Sequence, residues 1–446
     1  MVRIHLRQYA GFFADTLPAQ RRVSFIRNFT PPRSMEEIAA RIQQSYRSRE
    51  RYGPFGFGKW IHHLPQIDAF LQGNIYEVKP ITAEFVPTLE CTFACPDCTY
   101  RDWKTRTAAE KGKRYMDFVL MKHLLEELSR AGVKGIIWTG GGEPTLHPQF
   151  LDGMRFAKTL GMQNGLFTNG SMLTRKMVET LLFEIAPAFI RISINAPTPE
   201  SHRRFHCYPS RRHYFSQILG ILKHIAILKL DPRVRTTVGL GIIVNERNLA
   251  VIGDFGSFLH SLIDPSGGRI DYIAFRPTVH YGGADKTQLS AELAADAGTK
   301  YRGLVLPAAA GIRGLSSIFI EERFEDILRP QQTQVPFCLA HPWRVSIAYD
   351  GKVYLCAEQN GNPDFCIGDL AVSSFANIWR GPQRKKVIQR LNQELFHRSC
   401  PPICVLTYMN KVLNAFPFPL ISAETAGIKQ TLETLRGKQH PHVDFL

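Results

Sequence analysis

From about residue 80 onward the chain alternates between two patterns of apolar and polar positions, one typical of strands and one typical of helices. Short apolar runs, such as Gly135–Trp138 and Phe189–Ile194, are each followed by a longer segment with apolar residues at helical spacing. In the helix predicted over Asp117–Ala131 these residues recur three or four positions apart. About six strand–helix units follow one another up to the strand at Tyr272–Phe275, which predicts parallel strands with helices packed outside them. Further predicted strands are Thr82–Val86, Asn164–Phe167 and Thr236–Val244, and further predicted helices are Gln149–Leu160, Thr174–Phe183 and Tyr214–Leu228.

The pattern divides the chain into five predicted regions. An N-terminal extension over residues 1–80 does not join the alternation and is expected to be mainly helical. The alternating core covers 81–284, a helical connector covers 285–335, a small cysteine-rich domain covers 336–410, and a tail covers 411–446. In parallel sheets and barrels functional side chains collect at the carboxyl ends of the strands, so we expect the site there.

Composition narrows the function classes. The 446 residues carry 55 Lys and Arg against 39 Asp and Glu, a formal net charge of +16 that favours anionic partners or a solvated surface. No RNA-binding signature with interleaved aromatics accompanies this charge, so nucleic acid is not an expected partner. No apolar run is long enough to span a membrane, and the first residues lack the apolar stretch of a secretion signal. A cytoplasmic protein is therefore expected.

Three of the nine cysteines crowd into one loop after the first predicted strand. Cys91, Cys95 and Cys98 follow Thr82–Val86 closely. A cubane iron–sulfur cluster takes cysteine thiolates and offers four iron sites, so three local cysteines would leave one iron open. Zinc, which commonly takes paired Cys-x-x-Cys or His ligands, and free thiols are the alternatives, and the spacing favours the cluster.

Short polar segments follow the next predicted strands in the same way. Residues Trp138–Pro144 read W-T-G-G-G-E-P, Thr168–Gly170 read T-N-G, and Arg191–Ala196 read R-I-S-I-N-A. Each alone is compatible with ordinary turns. In this order, together with the cysteine loop and the strand-like Thr237–Asn245, they resemble the radical S-adenosylmethionine (SAM) enzymes over about residues 80–280.

This resemblance implies a fold, a cofactor set and an activity. The fold would be an α/β partial (β/α)6 TIM-like barrel with a small C-terminal α/β auxiliary-cluster domain and the helical N-terminal extension. Cys91, Cys95 and Cys98 would ligate three irons of a [4Fe-4S] cluster, and the amino and carboxylate groups of SAM would chelate the fourth. An electron from the cluster would cleave SAM to methionine and a 5′-deoxyadenosyl radical, which abstracts a hydrogen atom from the substrate.

The resemblance also implies SAM contacts. Glycines would let the backbone approach the methionyl part, and Glu143 would pair with the SAM ammonium. Ser193 and Asn195 are expected at the ribose. Asp97 stands where many members carry an aromatic residue, so Tyr100 is expected to cover the adenine edge. The full predicted set, whose last two members line the adenine side, is Gly141, Gly142, Glu143, Pro144, Asn169, Ser193, Asn195, Tyr100, Val244 and Arg276.

A second group of cysteines lies toward the C-terminus. Asp350-Gly351 between apolar alternation predicts a hairpin, and a helix over Pro382–Phe396 could return the chain toward it. Four thiols would then converge. These four are Cys338, Cys356, Cys400 and Cys404.

This second group resembles the SPASM/Twitch extension of radical SAM enzymes, which carries auxiliary iron–sulfur clusters. Gly351-x4-Cys356 and the later Ile378-Trp379 match that extension. The cysteine count suits one auxiliary [4Fe-4S] cluster on the four thiols. Cys366 falls at a structural apolar position and is left out, and Cys400 is the ligand it would replace. A structural zinc site with four cysteine ligands is the alternative.

Several reactions could follow hydrogen abstraction. The leading hypothesis is oxidation of, or bond formation on, a small-molecule or natural-product substrate that the basic charge allows to be anionic, with the auxiliary cluster taking part. Peptide maturation is an alternative, as is redox-neutral epimerisation of a sugar or nucleoside with Cys207 as the catalytic hydrogen donor. A lone cysteine is more often a small buried side chain. A non-enzymatic iron–sulfur electron carrier would need no SAM. The resemblance further implies an electron donor such as flavodoxin or ferredoxin.

Overall fold

A computed structural model describes residues 36–43, 58–73, 75–107, 114–263, 267–279, 290–328, 335, 337–395, 399–401, 404–416, 422–436 and 442–446. Within these ranges ten strands form one sheet. They are β1 Thr82–Phe85, β2 Gly135–Trp138, β3 Gln163–Thr168, β4 Phe189–Ser193, β5 Thr237–Val244, β6 Tyr272–Pro277, β7 Ser316–Phe319, β8 Arg344–Ile347, β9 Lys352–Tyr354 and β10 Cys366–Asp369. Their order across the sheet is β10-β9-β8-β1-β2-β3-β4-β5-β6-β7.

Helices cover the connections between these strands. The described helices are α1 36–43, α2 Leu64–Leu71, α3 Arg101–Arg106, α4 Phe118–Ala131, α5 Phe150–Thr159, α6 Arg175–Glu179, α7 Pro199–His206, α8 Tyr214–Leu228, α9 Phe255–Ser261, α10 Ala291–Lys300, α11 Leu306–Ala310, α12 Glu321–Leu328, α13 Phe375–Arg380, α14 Pro382–Arg390, α15 Thr407–Leu413 and α16 Ser422–Arg436. Segments Thr180–Ile185 and Leu391–Leu395 continue α6 and α14 as π-helix.

Strands β1 to β7 lie side by side in chain order and are parallel. Each strand–helix crossover therefore advances the sheet by one strand, and all carboxyl ends meet at one edge. The edges of the sheet are β7 and β10, so the barrel is partial. This confirms the predicted α/β fold class.

Helix α4 shows how local sequence sets these elements. Asp117 caps its first turn by accepting hydrogen bonds from the backbone N–H groups of Val119 and Leu120 at 2.8 and 3.1 Å. Gly132 ends the helix at a φ of 93°, a left-handed conformation that glycine adopts readily. The residues it buries have helical spacing, and they are Met121, Leu124, Leu125 and Leu128.

Two strands enlarge the sheet beyond the six predicted units. Strand β7 lies in the connector expected to be helical, and it pairs in parallel with β6. Strand β8 pairs in parallel with β1 and begins the predicted hairpin with β9, whose turn holds Gly351 at a φ of 86°. Only tertiary pairing decides which strands these two contact, because a strand of four residues carries little sequence signal of its partner. The C-terminal cysteine region is therefore continuous with the barrel sheet.

The C-terminal tail closes the amino end of the barrel. Thr82 Oγ1 donates a hydrogen bond to the Asp444 carbonyl oxygen at 2.8 Å, and Leu446 N donates to Thr82 Oγ1 at 3.0 Å. A Cβ at Gly135 would overlap the Asp444 carbonyl oxygen. Lys59 donates to the Phe445 carbonyl oxygen at 2.9 Å, and burial lowers the pKa of this lysine to about 7.

The N-terminal extension lies only partly in the described ranges, since 1–35 and 44–57 fall outside them. Its described helices α1 and α2 join a second hydrophobic cluster with α15 and α16. Ile42 and Phe70 pack in this cluster with Leu413 and Ile428, and all four are fully buried. The extension is thus anchored on the C-terminal helices.

Candidate active site and metal centres

A cavity of about 480 Å³ lies inside the barrel. Its wall is built from alternate residues of the strands, because successive side chains on a strand point to opposite faces. Strand β4 contributes Phe189, Arg191 and Ser193, whereas Ile190 and Ile192 pack into the core on the other face. The cavity therefore reaches from the middle of the barrel to the carboxyl ends of the strands.

The first cysteine loop forms the wall at those carboxyl ends, and all three of its thiols line the cavity. Each thiol has a nitrogen neighbour suited to a thiolate. Asn169 Nδ2 lies 3.7 Å from Cys91 Sγ, His206 Nδ1 lies 3.2 Å from Cys95 Sγ, and Lys104 Nζ lies 3.9 Å from Cys98 Sγ. Hydrogen bonds to cysteine sulfurs are among the features that tune iron–sulfur clusters.

Burial makes two of these thiols reluctant to ionise on their own. It raises the pKa of Cys91, and it raises the pKa of Cys95 to about 12, with the charges of Cys91 and Cys98 adding to the effect. Cationic irons would supply the missing compensation, because metal ligation stabilises thiolates. Three mutually repelling thiols that share one cavity wall therefore fit a cluster.

The glycine segment after β2 packs directly on the cysteine loop. Gly142 N donates to the Thr88 carbonyl oxygen at 3.0 Å, and Glu143 N donates to the Glu90 carbonyl oxygen at 2.7 Å. A Cβ at Gly142 would overlap the Glu90 carbonyl oxygen, and one at Gly141 would overlap the Leu89 side chain. Contact with the cysteine loop thus requires both glycines, which also line the cavity.

Glu143 is a buried carboxylate held by neutral donors. Its Oε1 accepts from the hydroxyls of Thr145 and Thr168 at 2.5 and 2.6 Å, and its Oε2 accepts from Asn169 N at 2.7 Å. Burial raises the pKa of Glu143, and these hydrogen bonds oppose that effect. A buried carboxylate on a cavity wall whose contacts are hydroxyl and amide groups fits an external ammonium, such as that of SAM.

The other residues predicted to contact SAM fall into those that line the cavity and those that do not. Asn169, Ser193 and Asn195 line the cavity, as do Tyr100 and Arg276.

Val244 and Pro144 do not line it. Val244 packs in the outer core while its neighbours Ile243 and Asn245 face the cavity, as the period of two along a strand requires. Pro144 is buried at the start of a 3-10 turn. Its part is to begin that turn.

Asp97 links the cysteine loop to the end of β5. Its Oδ2 accepts from Asn245 Nδ2 at 3.2 Å and from Arg247 at 3.0 Å. Tyr100 lines the cavity, and burial raises its pKa well above its usual value, with the charges of Glu84 and Glu358 adding to the effect.

The four C-terminal cysteines act on one another electrostatically. Burial, followed by Cys404, raises the pKa of Cys338 to about 12. Burial also raises the pKa of Cys356 well above its usual value, with Cys400 and Cys404 among the causes, and the pKa of Cys400, with Cys338 next among the causes. A hydrogen bond from Gln359 Nε2 to the Ser399 carbonyl oxygen, at 2.8 Å, ties the segment after Cys356 to the segment before Cys400. None of the four lines the cavity.

Fixed polar groups surround these thiols. Asn410 Nδ2 lies 3.6 Å from Cys338 Sγ while its Oδ1 accepts from the backbone of Leu339 and Ala340, and Thr407 Oγ1 lies 3.7 Å from Cys404 Sγ. In the described part of the chain no three His, Cys, Asp or Glu side chains sit at the spacing of a single-ion site.

Cys366 begins β10 and has different neighbours. Its thiol donates to the Gly368 carbonyl oxygen at 3.6 Å, and burial raises its pKa. Lys352 and Asp350 are the charged groups that act on it most.

Cys207 lies on the outside of the first cysteine loop. It ends α7 in a left-handed conformation with a φ of 51°, and its side chain is exposed. Arg247 lies 3.6 Å from its thiol, and Cys207 is absent from the cavity wall. The hydrogen-donor hypothesis would place the thiol of Cys207 in the cavity, and the alternative would bury it in the core.

Sequence reasoning missed a row of charged residues inside the barrel. Arg344 on β8 contacts the carboxylate of Glu84 on β1, and it lies 3.6 Å from Glu358, whose Oε2 is 3.1 Å from Cys356 Sγ. Arg191 on β4 belongs to the same wall. The signal was present, because a charged residue in the middle of an apolar strand needs a partner or a ligand.

Comparison with protein families gives two matches. A model of the radical SAM superfamily matches residues 85–254, and a model of the SPASM iron–sulfur cluster-binding domain matches 338–405. The first match contains the cysteine loop and the glycine segment. The second begins at Cys338 and extends past Cys404.

Two curated proteins align with part of the chain. Over 95 residues it is 35% identical to the tungsten-containing aldehyde ferredoxin oxidoreductase cofactor-modifying protein of Pyrococcus furiosus, covering 21% of this chain and 25% of the relative. Over 131 residues it is 28% identical to the AdoMet-dependent heme synthase of Methanosarcina barkeri, covering 29% of this chain and 34% of the relative. The chain thus matches a quarter to a third of the length of these relatives.

Among solved structures, Streptococcus suis SuiB bound to precursor peptide SuiA superposes with a TM-score of 0.53 at 12% identity. The superposition covers 74% of this chain and 71% of SuiB, and at this identity the likeness is one of fold. None of the helices in the described ranges combines the length and apolar character of a membrane span.

Proposed function

Because this chain belongs to the radical SAM superfamily and carries a C-terminal SPASM iron–sulfur domain, we propose that it abstracts a hydrogen atom from a small molecule bound inside the barrel. The protein is an enzyme that uses a [4Fe-4S] cluster and SAM, and its SPASM domain implies additional iron–sulfur clusters. Oxidation of the substrate, or bond formation on it, would follow with the auxiliary cluster taking part.

One observation carries this proposal: the barrel cavity touches the surroundings of both cysteine groups. Cys91, Cys95 and Cys98 line one side, and Ala357 and Glu358, which follow Cys356, line another. A volume of about 480 Å³ is within the range of small-molecule sites. A substrate in this cavity would lie beside the first cysteine group and next to the residues that follow Cys356 in the second group.

The residues of the two groups would hold the clusters. Cys91, Cys95 and Cys98 would ligate the first, and the four C-terminal thiols the second. When bound, the first cluster and SAM supply the 5′-deoxyadenosyl radical that takes the hydrogen atom.

The rest of the site would orient SAM. Glu143 would accept the ammonium through Oε2, which has a single intramolecular hydrogen bond, from Asn169 N. Asn195 is itself fixed, because its Oδ1 accepts from Ile243 N at 2.8 Å. A rigid contact of this kind positions a ligand without further loss of side-chain freedom.

Several observations support a small-molecule substrate over the alternatives. The two curated relatives are named for modifying a cofactor and for making heme. Epimerisation relied on Cys207, which lies outside the cavity wall. Peptide maturation would call for a peptide-binding module in residues 1–80, and the broken sequence pattern of this segment does not predict one.

The reductant is proposed to be an acidic electron carrier such as flavodoxin or ferredoxin. Helix α7 ends against the first cysteine loop, since Ala94 N donates to the His206 carbonyl oxygen at 3.1 Å. Arg203 and Arg204 on this helix are exposed. The double charge reversal Arg203→Glu/Arg204→Glu should slow reduction by flavodoxin at low salt and leave reduction by dithionite unchanged. Equal slowing with both reductants would contradict this docking surface.

The activity is tested on reconstituted, reduced protein supplied with SAM. We expect 5′-deoxyadenosine in the products, and a change in the electron paramagnetic resonance spectrum of the cluster when SAM is added. Absence of both, with and without candidate substrates, would overturn the proposal.

A further inference from the structure

Arg191 stands in the barrel wall, where its side chain packs on the ring of Phe167. It is 9% exposed, and its guanidinium carbon lies 3.5 Å from the centre of the Phe167 ring. Its Nε is buried and has no hydrogen-bond partner, and its side chain makes no hydrogen bond or ion pair with any described residue. A buried guanidinium without an anion is costly, so the position is one that a ligand would stabilise.

The neighbouring strand leaves space for this arginine. Gly239 of β5 pairs with Arg191, and at Gly241, two residues further along β5, an added Cβ would lie 3.0 Å from Arg191 Cδ. One step down the same face, a Cβ at Gly239 would overlap the ring of Tyr272. Any other residue at 241 would crowd the side chain, so the wall is shaped around Arg191.

The charges around Arg191 leave a positive surplus. Arg276 faces the same cavity, and its charge follows burial as the cause that lowers the pKa of Arg191. The carboxylates on this side are Glu84 and Glu358, and Arg344 contacts both of them. Arg323 and Arg344 also line the cavity, so its wall carries more cationic than anionic side chains.

We propose that the substrate carries an anionic group, a carboxylate or a phosphate, that binds between Arg191 and Arg276. Guanidinium groups bind both anions through paired, charge-assisted hydrogen bonds. Anchoring one end of the molecule in mid-barrel would direct the other end toward the cysteine loop, where the hydrogen atom is removed. The inference rests on the proposed function for its purpose, whereas anion binding can be measured without any turnover.

The test uses the full chain with its clusters reconstituted, under anaerobic conditions and without SAM cleavage. Inorganic phosphate and succinate are titrated by calorimetry against sodium chloride of equal ionic strength, so that general screening of the basic surface cancels. At least one probe should bind the wild-type protein, and the tighter of the two identifies the anion class.

Arg191→Gln should weaken that binding about tenfold or more, the loss expected for charge-assisted hydrogen bonds to a desolvated anion. Arg276→Gln should weaken it also, and it serves if Arg191→Gln does not fold. The matched control is Arg211→Gln, which removes an exposed arginine outside the cavity and should leave binding unchanged.

Three results would overturn the inference. They are absence of binding of both probes to the wild-type protein, equal binding by the wild type and both cavity variants, and equal weakening by the Arg211 control. The SAM-induced change in the cluster spectrum is recorded on the same samples. Its loss in step with anion binding would show that Arg191 supports the SAM site, and would likewise overturn the substrate assignment. Failure of the wild type to cleave SAM would sink the proposed function and leave the binding data standing.

Discussion

The two cysteine groups solve the problem of holding a cluster in different ways. In the first, one loop of eight residues, from Cys91 to Cys98, supplies three thiols that line the cavity. In the second, four thiols come from three segments of the chain and lie outside the cavity wall, with Asn410 and Thr407 beside two of them.

The cysteines that are close together in the sequence line the cavity, and the cysteines that come from distant segments do not. A short loop can place three ligands on one side of a cluster and leave the remaining iron facing the cavity. The thiols of the second group are buried or half-buried and do not line the cavity. The first group is thus suited to meet SAM, and the second to exchange electrons.

Removing the first group should have the largest effect. The variant Cys91→Ala/Cys95→Ala/Cys98→Ala should lose SAM cleavage entirely, while retaining about four irons per chain, the content of one cubane. Iron analysis and chromatography of 5′-deoxyadenosine check the two halves of this expectation. Iron content near zero would contradict a cluster at the second group.

Breaking the second group should remove product but spare the cofactor reaction. Cys356→Ala should lower the iron content by about four per chain and stop substrate turnover, while cleavage of SAM to 5′-deoxyadenosine continues. Cys366→Ala is the matched control, because this thiol lies nearby and bonds to Gly368 instead. Iron loss in the control would move Cys366 into the ligand set.

A change at Glu143 should sharpen the link between the first group and SAM. Glu143→Gln keeps the shape and removes the charge that would meet the ammonium, so the Kd for SAM should rise about tenfold to a hundredfold, the effect of a hydrogen bond to a charged group. Iron content should not change. Equilibrium binding followed by the cluster spectrum measures this, and an unchanged Kd would place the ammonium elsewhere.

The smallest effect is expected at Cys207. Because this thiol is exposed and lies outside the cavity wall, Cys207→Ala should change neither iron content nor product formation by more than about twofold. Loss of product with intact SAM cleavage would restore the epimerase hypothesis, in which Cys207 donates the hydrogen atom.

Much of the fold could be read from the chain because its signals are local. Strand β2 and helix α8 have the predicted bounds, and α4 begins and ends within one residue of its prediction, since capping residues and helical spacing act within a few positions. Strand β7 was not predicted, because a strand of four residues gives little indication of which strand it pairs with. At Val244 the sequence pattern does not settle which face each residue takes, and the fold places its neighbours Ile243 and Asn245 on the cavity wall.

The sequence by itself determined the first cysteine loop, the glycine segment that packs on it and the alternation that builds a parallel sheet. These three features depend on the spacing of residues within short segments, which can be read directly from the sequence. Tertiary structure alone decided that β8 pairs with β1, which residues of each strand face the cavity, and that Arg191 has no ion-pair partner there among the described residues. The pairing of β1 with β8 joins residues far apart in the chain, such as Thr82 and Arg344, and only the folded chain fixes which side chains share one buried space.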